Sequence, residues 1–198
     1  MDALHGLPLA IDHAGAYIRR AKNVFQYFAD FHACPQESIL DLTVSSFHNR
    51  TVATIWKLSL ARLSPAAAQL LEYLAFMNPD EIVIDYLRAG ATVLPLTLHT
   101  ALKDPARCRG LVQSLEETSL IRVFSNGDRI WMHRLVQAVV QDGLRSKRAG
   151  VGSIAVQIRL QAFPMLDRSL EGLQTCRRFR AQVVSSLDHT VTLNKSSD

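Results

Sequence analysis

The change of hydrophobic period around residues 120–132 limits the fold more than any other feature of this chain. Apolar residues recur at helical spacing on both sides of this segment, whereas within it they alternate with polar residues, as in strands. The dipeptide Asn126-Gly127 lies between the two alternating runs and favours the tight turn of a β-hairpin, whose central residues have positive φ. The sequence therefore predicts a mainly α protein with one small β-hairpin.

Helical spacing predicts the elements around the hairpin. Ser64 and Pro65 are residue types typical of an N-cap and a first helical position, so a helix is expected to begin there. An apolar stripe after the hairpin predicts a closing helix over His133–Leu144. Residues 92–103 have no clear period. The helix that begins at Pro65 is expected to run through residues 66–76. The other predicted helices cover residues 7–20, 24–31, 52–63, 82–89, 105–118, 153–166 and 173–193.

The order of these elements predicts four regions. Residues 1–33 would form a helical segment, residues 34–50 a linker, residues 51–148 a winged-helix-like domain, and residues 149–198 a helical spacer. The boundary before the spacer rests on the basic, glycine-containing segment Arg145–Gly152, and two C-terminal helices are expected after it.

Composition is that of an ordinary globular protein, with 48% hydrophobic and 20% charged residues. No apolar run approaches the ~20 residues that cross a bilayer, and Asp2 and His5 do not suit a signal peptide. The chain has an odd number of cysteines, Cys34, Cys108 and Cys176, and no CxxC pair. This pattern is typical of a protein in a reducing compartment. We therefore expect a cytoplasmic protein with no membrane association and no metal site.

Positive charge is concentrated in the second half of the chain. Residues 1–99 hold 7 Lys/Arg and 9 Asp/Glu, a net of −2, whereas residues 100–198 hold 15 and 9, a net of +6, and together these give +4. A basic half can bind phosphate or an acidic protein, and a solvated helix face accounts for the same excess. Charge alone therefore leaves both interpretations open.

Local runs of charge are expected at the solvated surface. The pairs Asp80-Glu81 and Glu116-Glu117 point apart on a helix rather than sharing a site. The run Arg177–Arg180 could contact RNA through charge and stacking by Phe179. We expect it instead to be the exposed face of a helix whose apolar side holds Leu173, Cys176, Val183 and Val184.

Two short motifs carry the functional signal. Gly6–Leu9, with the sequence GLPL, precedes a predicted amphipathic helix. Met132–Gln137, with the sequence MHRLVQ, lies where the hairpin enters the closing helix. A histidine near a helix N-terminus can contact a phosphate, which the exposed N–H groups there also attract. Taken singly, each motif also fits a loop or a strand–helix junction that binds no ligand.

Taken together and in this order, the motifs resemble the nucleotide-binding region of fungal NOD-like receptors, which are STAND-class switch ATPases with an NB-ARC module. Gly6–Leu9 resembles their GLPL motif, and Ala10–Ile18 resembles the segment that follows it, with His13 where glutamine is usual. Thr51–Ser59 resembles the segment that opens the next domain, and MHRLVQ resembles the MHD-type motif in its fungal form.

The resemblance implies roles for two residues. In the family, the proline of GLPL packs against adenine and the histidine of the MHD motif contacts the β-phosphate of ADP, so Pro8 and His133 are the candidate cofactor-binding residues. Arg134 stands where aspartate is common, so the interdomain contacts of that aspartate do not transfer. The resemblance covers about residues 4–146, and residues 150–193 more weakly resemble the helical spacer before tetratricopeptide repeats.

The chain departs from the family in one respect that decides its activity. It contains no GxxxxGK[ST] phosphate-binding loop and no apolar strand that ends in acidic residues on the Mg²⁺ side. In the family both precede the GLPL motif. A helix end and one histidine form only a weak phosphate site, so we expect weak binding of ADP or ATP, no catalytic residue and no hydrolysis.

The expected partner is a nucleotide-binding lobe or another protein chain. The aromatic residues of the predicted helix 24–31 would pack on such a partner, and in the isolated chain they would form an apolar patch that favours oligomerisation. Such a patch is one reason to expect that the chain does not act alone.

The sequence thus predicts a non-enzymatic regulatory part of a nucleotide-dependent signalling switch. A second interpretation is a winged-helix module that binds nucleic acid, but the predicted helix 105–118 carries Glu116 and Glu117 as well as Arg107 and Arg109, which does not favour it. The same sequence also fits a helical protein-interaction module, or a truncated product without activity.

Overall fold

The computed structural model describes residues 14–16, 18–19, 22–23, 25, 29, 59–124, 126–163 and 172–180. The helices are α1 (Pro65–Leu74), α2 (Ile84–Ala89), α3 (Leu96–Lys103), α4 (Pro105–Glu117), α5 (Arg134–Gly143) and α6 (Arg148–Ala162). The strands are β1 (Ile82–Val83), β2 (Ile121–Val123) and β3 (Arg129–Met132). Short 3₁₀ turns cover Ala91–Val93 and Arg145–Lys147, and residues 172–180 are helical.

The strands form one antiparallel sheet in the order β1-β3-β2. The hairpin is confirmed: β2 pairs with β3, and Gly127 in the turn has a φ of +72°. The predicted helix over residues 82–89 is wrong at its start, because Ile82 and Val83 form β1 and Ile82 pairs with Ile130. Both residues are β-branched, and their partner strand lies much later in the chain, so local spacing does not reveal the pairing.

Helix caps follow the sequence signals closely. The Ser64 hydroxyl accepts a hydrogen bond from Ala67 N at 3.2 Å, and Pro65 occupies the first position of α1, as predicted. Asp104 caps α4 by accepting from Ala106 N at 2.8 Å and Arg107 N at 3.3 Å. These two bonds favour the charged carboxylate and hold the pKa of Asp104 below its usual value.

Helix α6 passes through the segment that sequence patterning marks as a break. Gly150 and Gly152 both lie inside it, so the predicted start of a helix at Ser153 is wrong. Its apolar face packs into the core that includes α1, with Val151, Ala155, Ile158 and Ala162 buried. The division into regions at residues 148 and 149 stays a prediction, but the helix at that boundary shares the core of the preceding elements.

The fold class is confirmed as mainly α with a small antiparallel sheet. A helix and a strand precede α2, α3 and α4, after which the hairpin inserts its second strand between the other two. This order of elements and strands is that of a winged-helix-like domain, with β2–β3 as the wing. Within the described ranges, no helix is long and apolar enough to span a membrane.

Residues 172–180 pack against α2 through one aromatic contact. Phe179 is only 4% exposed, and its ring meets the Tyr86 ring edge-on, with centroids 4.9 Å apart. Leu173, expected on the apolar side, is 54% exposed, so that expectation is wrong, and Phe179 is the buried residue. Arg178 Nη2 lies 3.5 Å from Asp85 Oδ2 on α2, next to this contact.

Candidate functional site

His133 lies at the junction where β3 ends and α5 begins. Its backbone is extended, with φ −67° and ψ 133°, which places it in the N-cap position of α5. Its ring Nδ1 accepts a hydrogen bond from Leu135 N at 3.1 Å. Because Nδ1 is the acceptor, the neutral ring carries its proton on Nε2, on the opposite side of the imidazole. His133 therefore caps the helix with one nitrogen and keeps a donor on the other.

The orientation of the His133 ring is fixed from a second direction. The Trp131 ring meets it edge-on, with centroids 5.8 Å apart and an angle of 86° between the planes. The side chain of His133 is partly exposed, and Nε2–H is the group through which the neutral ring would donate to a ligand. The adjacent N-terminus of α5 adds backbone N–H groups and partial positive charge. This arrangement can bind an anionic oxygen such as that of a phosphate.

Arg134 forms an ion pair within the domain. Its Nη2 lies 2.7 Å from Asp80 Oδ2, and both side chains are more than half exposed. A pair of this kind contributes between about 0 and 1 kcal/mol. Next to it, Met132 N donates to Pro79 O at 2.8 Å. The strand–helix junction at His133 is thus fastened to the loop that follows α1.

Three buried side chains bind the carbonyl groups at the C-terminal end of α1. Gln141 Nε2 donates to Ala75 O at 2.5 Å, and Gln137 Nε2 donates to Met77 O at 2.8 Å. Arg159 Nη2, from α6, donates to Phe76 O between them. Residues 75–77 leave α1, and within the described part of the chain they have no helical or sheet partner for their carbonyl groups, so these three bonds satisfy groups that burial would otherwise leave unpaired.

Arg159 is a buried cation with an unusual set of partners. It is 6% exposed, no carboxylate pairs with it among the residues described, and its Nε has no hydrogen-bond partner there. Burial lowers its pKa, which the nearby Tyr86 partly opposes. Burial likewise raises the pKa of Tyr86 above its usual range. The carbonyl of Phe76, just beyond the C-terminus of α1, is the polar partner that the structure shows for Arg159.

Of the two residues predicted to contact a nucleotide, only His133 can be placed. Pro8 lies outside the described residues, so the structure covers the phosphate side of the predicted site and not the adenine side. Phe25, from the predicted aromatic helix, is 86% exposed, and the other aromatic residues of that helix also lie outside the described residues.

Of the two acidic pairs, Glu116-Glu117 lies on a helix as predicted, whereas Asp80-Glu81 lies in the turn before β1, so its predicted place on a helix is wrong. Each carboxylate has its own partner. Asp80 pairs with Arg134, as above, and Glu81 Oε1 lies 2.8 Å from Arg129 Nη1 in the wing. Glu117 accepts from Gln113, and Glu116 Oε1 accepts from the backbone N–H of edge strand β2 at 3.0 Å. The side chains are therefore surface groups that fasten elements together, rather than freely solvated charges.

Sequence reasoning missed Gln137, Gln141 and Arg159. The signal for the glutamines is their i, i+4 spacing beside the valines of the α5 stripe, where a polar pair needs a partner. Arg159 gives no comparable signal, because its surroundings depend on how α6 packs.

Comparison with known families gives one match. A family model described as a domain of unknown function (DUF7779) matches residues 58–149, a range that includes α1 to α5 and the whole sheet. No curated protein matches the chain. The match carries no activity or ligand, so functional assignment depends on the chemistry of the junction at His133.

Proposed function

We propose that this chain is a non-enzymatic regulatory part of a nucleotide-dependent switch of the NB-ARC/STAND class, with His133 as the contact to the phosphates of ADP. The observation that carries the proposal is the cap geometry, in which Nδ1 binds Leu135 N and leaves Nε2–H as a donor beside a helix N-terminus. The resemblance of the MHRLVQ segment to the MHD-type motif agrees with this assignment.

The chemistry is recognition rather than reaction. Nε2–H of His133 donates to a phosphate oxygen, and the partial positive charge at the start of α5 favours the anion. The bond of the ring to Leu135 N and its contact with Trp131 limit the rotamers available, so little side-chain entropy is lost when a phosphate binds. The junction moves together with the core, so a bound phosphate orients the domain as a rigid body.

Binding by this chain alone is weak, and hydrolysis is not part of the proposal. The 198 residues contain no GxxxxGK[ST] loop, which in this class of protein supplies the backbone cradle and the phosphate-binding lysine. A nucleotide-binding lobe or a second chain supplies these groups, and Pro8 serves the adenine side in the proposed complex.

The charges near the wing argue against nucleic-acid binding. Arg107 lies 3.4 Å from Asp104, and Arg129 is bound to both Glu81 and Asp128. A protein that reads DNA through a helix and a wing needs cations there that face phosphates. These arginines are instead engaged by carboxylates of the same domain.

Equilibrium binding of ADP and AMP to the full chain tests the proposal. We expect an ADP dissociation constant on the order of millimolar and weaker binding of AMP, which lacks the β-phosphate. His133→Asn keeps a capping oxygen but removes the ring donor, so it should weaken ADP binding about tenfold, the usual worth of a hydrogen bond to a charged group. His99→Asn, on α3, is the matched control and should leave binding unchanged. Equal ADP affinity in His133→Asn and in the wild type would contradict the proposal.

A further inference from the structure

The segment that follows α1 is bound along its length by β3 and α5. Met132 N bonds to Pro79 O and Arg134 pairs with Asp80, while farther along α5 the two glutamines bond to Met77 O and Ala75 O. The order of contacts is antiparallel, so residues 75–80 run alongside the beginning of α5. His133 sits within this series of contacts, between Met132 and Arg134.

Gln137 and Gln141 are four residues apart and share one face of α5. His133 occupies the N-cap position of the same helix, four residues before Gln137. His133 caps the helix, and the two glutamines donate to the end of α1. A rotation or shift of the first turn of α5 therefore changes the geometry of both glutamine bonds.

Helix α6 binds to the same set of groups. Arg159 Nη2 donates to Phe76 O, the carbonyl between the two that the glutamines bind. Near the start of α6, Arg148 Nη2 donates to Gln141 Oε1 at 3.2 Å. Gln141 thus contacts both the end of α1 and α6, and the hydrogen bond that the buried Arg159 donates to Phe76 O depends on where the end of α1 is held.

We propose that Gln137, Gln141 and Arg159 are positioning residues that couple the cap at His133 to the docking of α6. The coupling involves two arrangements of the chain. In one, α6 is docked and the carbonyl groups of residues 75–77 are all bound; in the other, α6 is detached. Since a buried guanidinium or carbonyl without a partner is costly, intermediate positions are disfavoured. The coupling itself is a property of the free chain, and its regulation by ADP rests on the function proposed above.

Hydrogen exchange of the α6 amides in the full chain tests the coupling without a ligand. His133→Ala removes the cap, and we expect it to speed exchange in residues 151–162 about fivefold, which corresponds to the ~1 kcal/mol usual for a lost N-cap. His133→Asn restores a capping oxygen and should restore slow exchange. Asp104→Ala is the matched control, because it removes the N-cap of α4, which accepts two hydrogen bonds. This variant should leave the exchange rate of the α6 amides within twofold of the wild-type rate.

The role of the positioning residues is tested by non-additivity. In a Gln141→Leu background, His133→Ala should cause little further increase in the rate of hydrogen exchange in α6. The increase in the double variant should therefore differ by at least about threefold from the product of the increases in the two single variants. Gln137→Leu, which removes the donor to Met77 O, is the second background if Gln141→Leu does not fold. Unchanged α6 exchange in His133→Ala, an equal effect of Asp104→Ala, or a multiplicative double variant would each overturn the coupling.

Adding ADP separates this inference from the proposed function. If the coupling and the nucleotide contact are both correct, ADP should slow hydrogen exchange in α6, and this slowing should be absent in His133→Asn. If ADP has no effect while the cap variants still speed exchange in α6, the nucleotide contact fails and the coupling stands. If ADP binds through His133 but α6 does not respond to His133→Ala, the coupling is wrong and the nucleotide contact stands.

Discussion

Replacing Gly90 with alanine should disturb the docking of α6 directly. Gly90 ends α2 with an ordinary backbone, at φ −86°, so alanine itself causes no backbone strain there. A Cβ atom at this position would lie 2.4 Å from Ile158 O and 2.6 Å from Ile158 Cγ2. The carbonyl oxygen belongs to the middle of a helix and cannot rotate away, so α2 and α6 must move apart.

The size of this effect follows from the packing. Inserting one methyl group into a close-packed contact costs about 1–3 kcal/mol. For a chain of this size each kcal/mol shifts the midpoint of thermal unfolding, Tm, by roughly 2–4 °C. We therefore expect Gly90→Ala to lower Tm by roughly 2–12 °C, and to speed hydrogen exchange in α6 more than in α4.

The matched control is Gly110→Ala in α4. A Cβ atom there would meet nothing within 4 Å, and the residue lies within a helix. Alanine is favoured over glycine in helices by roughly 0.5–1 kcal/mol, so this variant should unfold at a higher temperature than the wild type. Scanning calorimetry or circular dichroism measures both variants. A Gly90→Ala protein as stable as the wild type, with α6 still protected, would refute the close contact between α2 and α6.

Three further predictions concern single contacts. Asp104 has a lowered pKa in the folded chain, so its capping contribution is complete above the unfolded value near pH 4 and is lost as the pH falls below it. Tm should therefore fall less between pH 5 and pH 3 in Asp104→Ala than in the wild type. Arg159→Met should lower the free energy of unfolding by about 1–3 kcal/mol in urea titrations, because the carbonyl of Phe76 loses its buried donor; an unchanged midpoint would contradict this prediction. Phe179→Ala should lower the free energy of unfolding by about 3 kcal/mol, whereas Leu173→Ala should change it by less than ~0.5 kcal/mol. Similar losses of stability in the two variants would contradict the observed burial of Phe179.

The parts of the fold that sequence predicts well are those with local causes. Ser64 and Pro65 form the expected cap, and Gly127 lies in the loop of the expected hairpin, because each needs only neighbouring residues. The amphipathic stripe of α5 is buried largely as predicted, with Val136, Val139 and Val140 in the core. Local hydrogen bonds and helical periodicity are sufficient for all of these features.

The features that sequence misses depend on partners far along the chain. Ile82 and Val83 continue a helical pattern, and only β3 makes them a strand. Gly150 and Gly152 suggest a break, but the apolar face of α6 has a core to pack on, and this packing outweighs the cost of glycine in a helix. Phe179 lies within a run of arginines, and only the Tyr86 ring explains its burial.

The candidate site also combines features that have local causes with features that depend on distant partners. His133 is found from sequence, since its position at the start of a helix and its surrounding motif are both local. The pairing of Arg134 with Asp80 and the carbonyl partners of the glutamines require the packing of α5 against the end of α1, which no local pattern encodes.

The imidazole ¹⁵N spectrum of the full chain, recorded during titration with ADP, tests the central claim most directly. At a pH where histidine is neutral, we expect the proton of the His133 ring on Nε2, because Nδ1 accepts from Leu135 N. ADP should shift the Nε2 signal and leave Nδ1 in the cap, while AMP should produce a smaller shift. A proton on Nδ1 in the free chain, or an Nε2 signal that millimolar ADP leaves unchanged, would contradict the proposed phosphate contact.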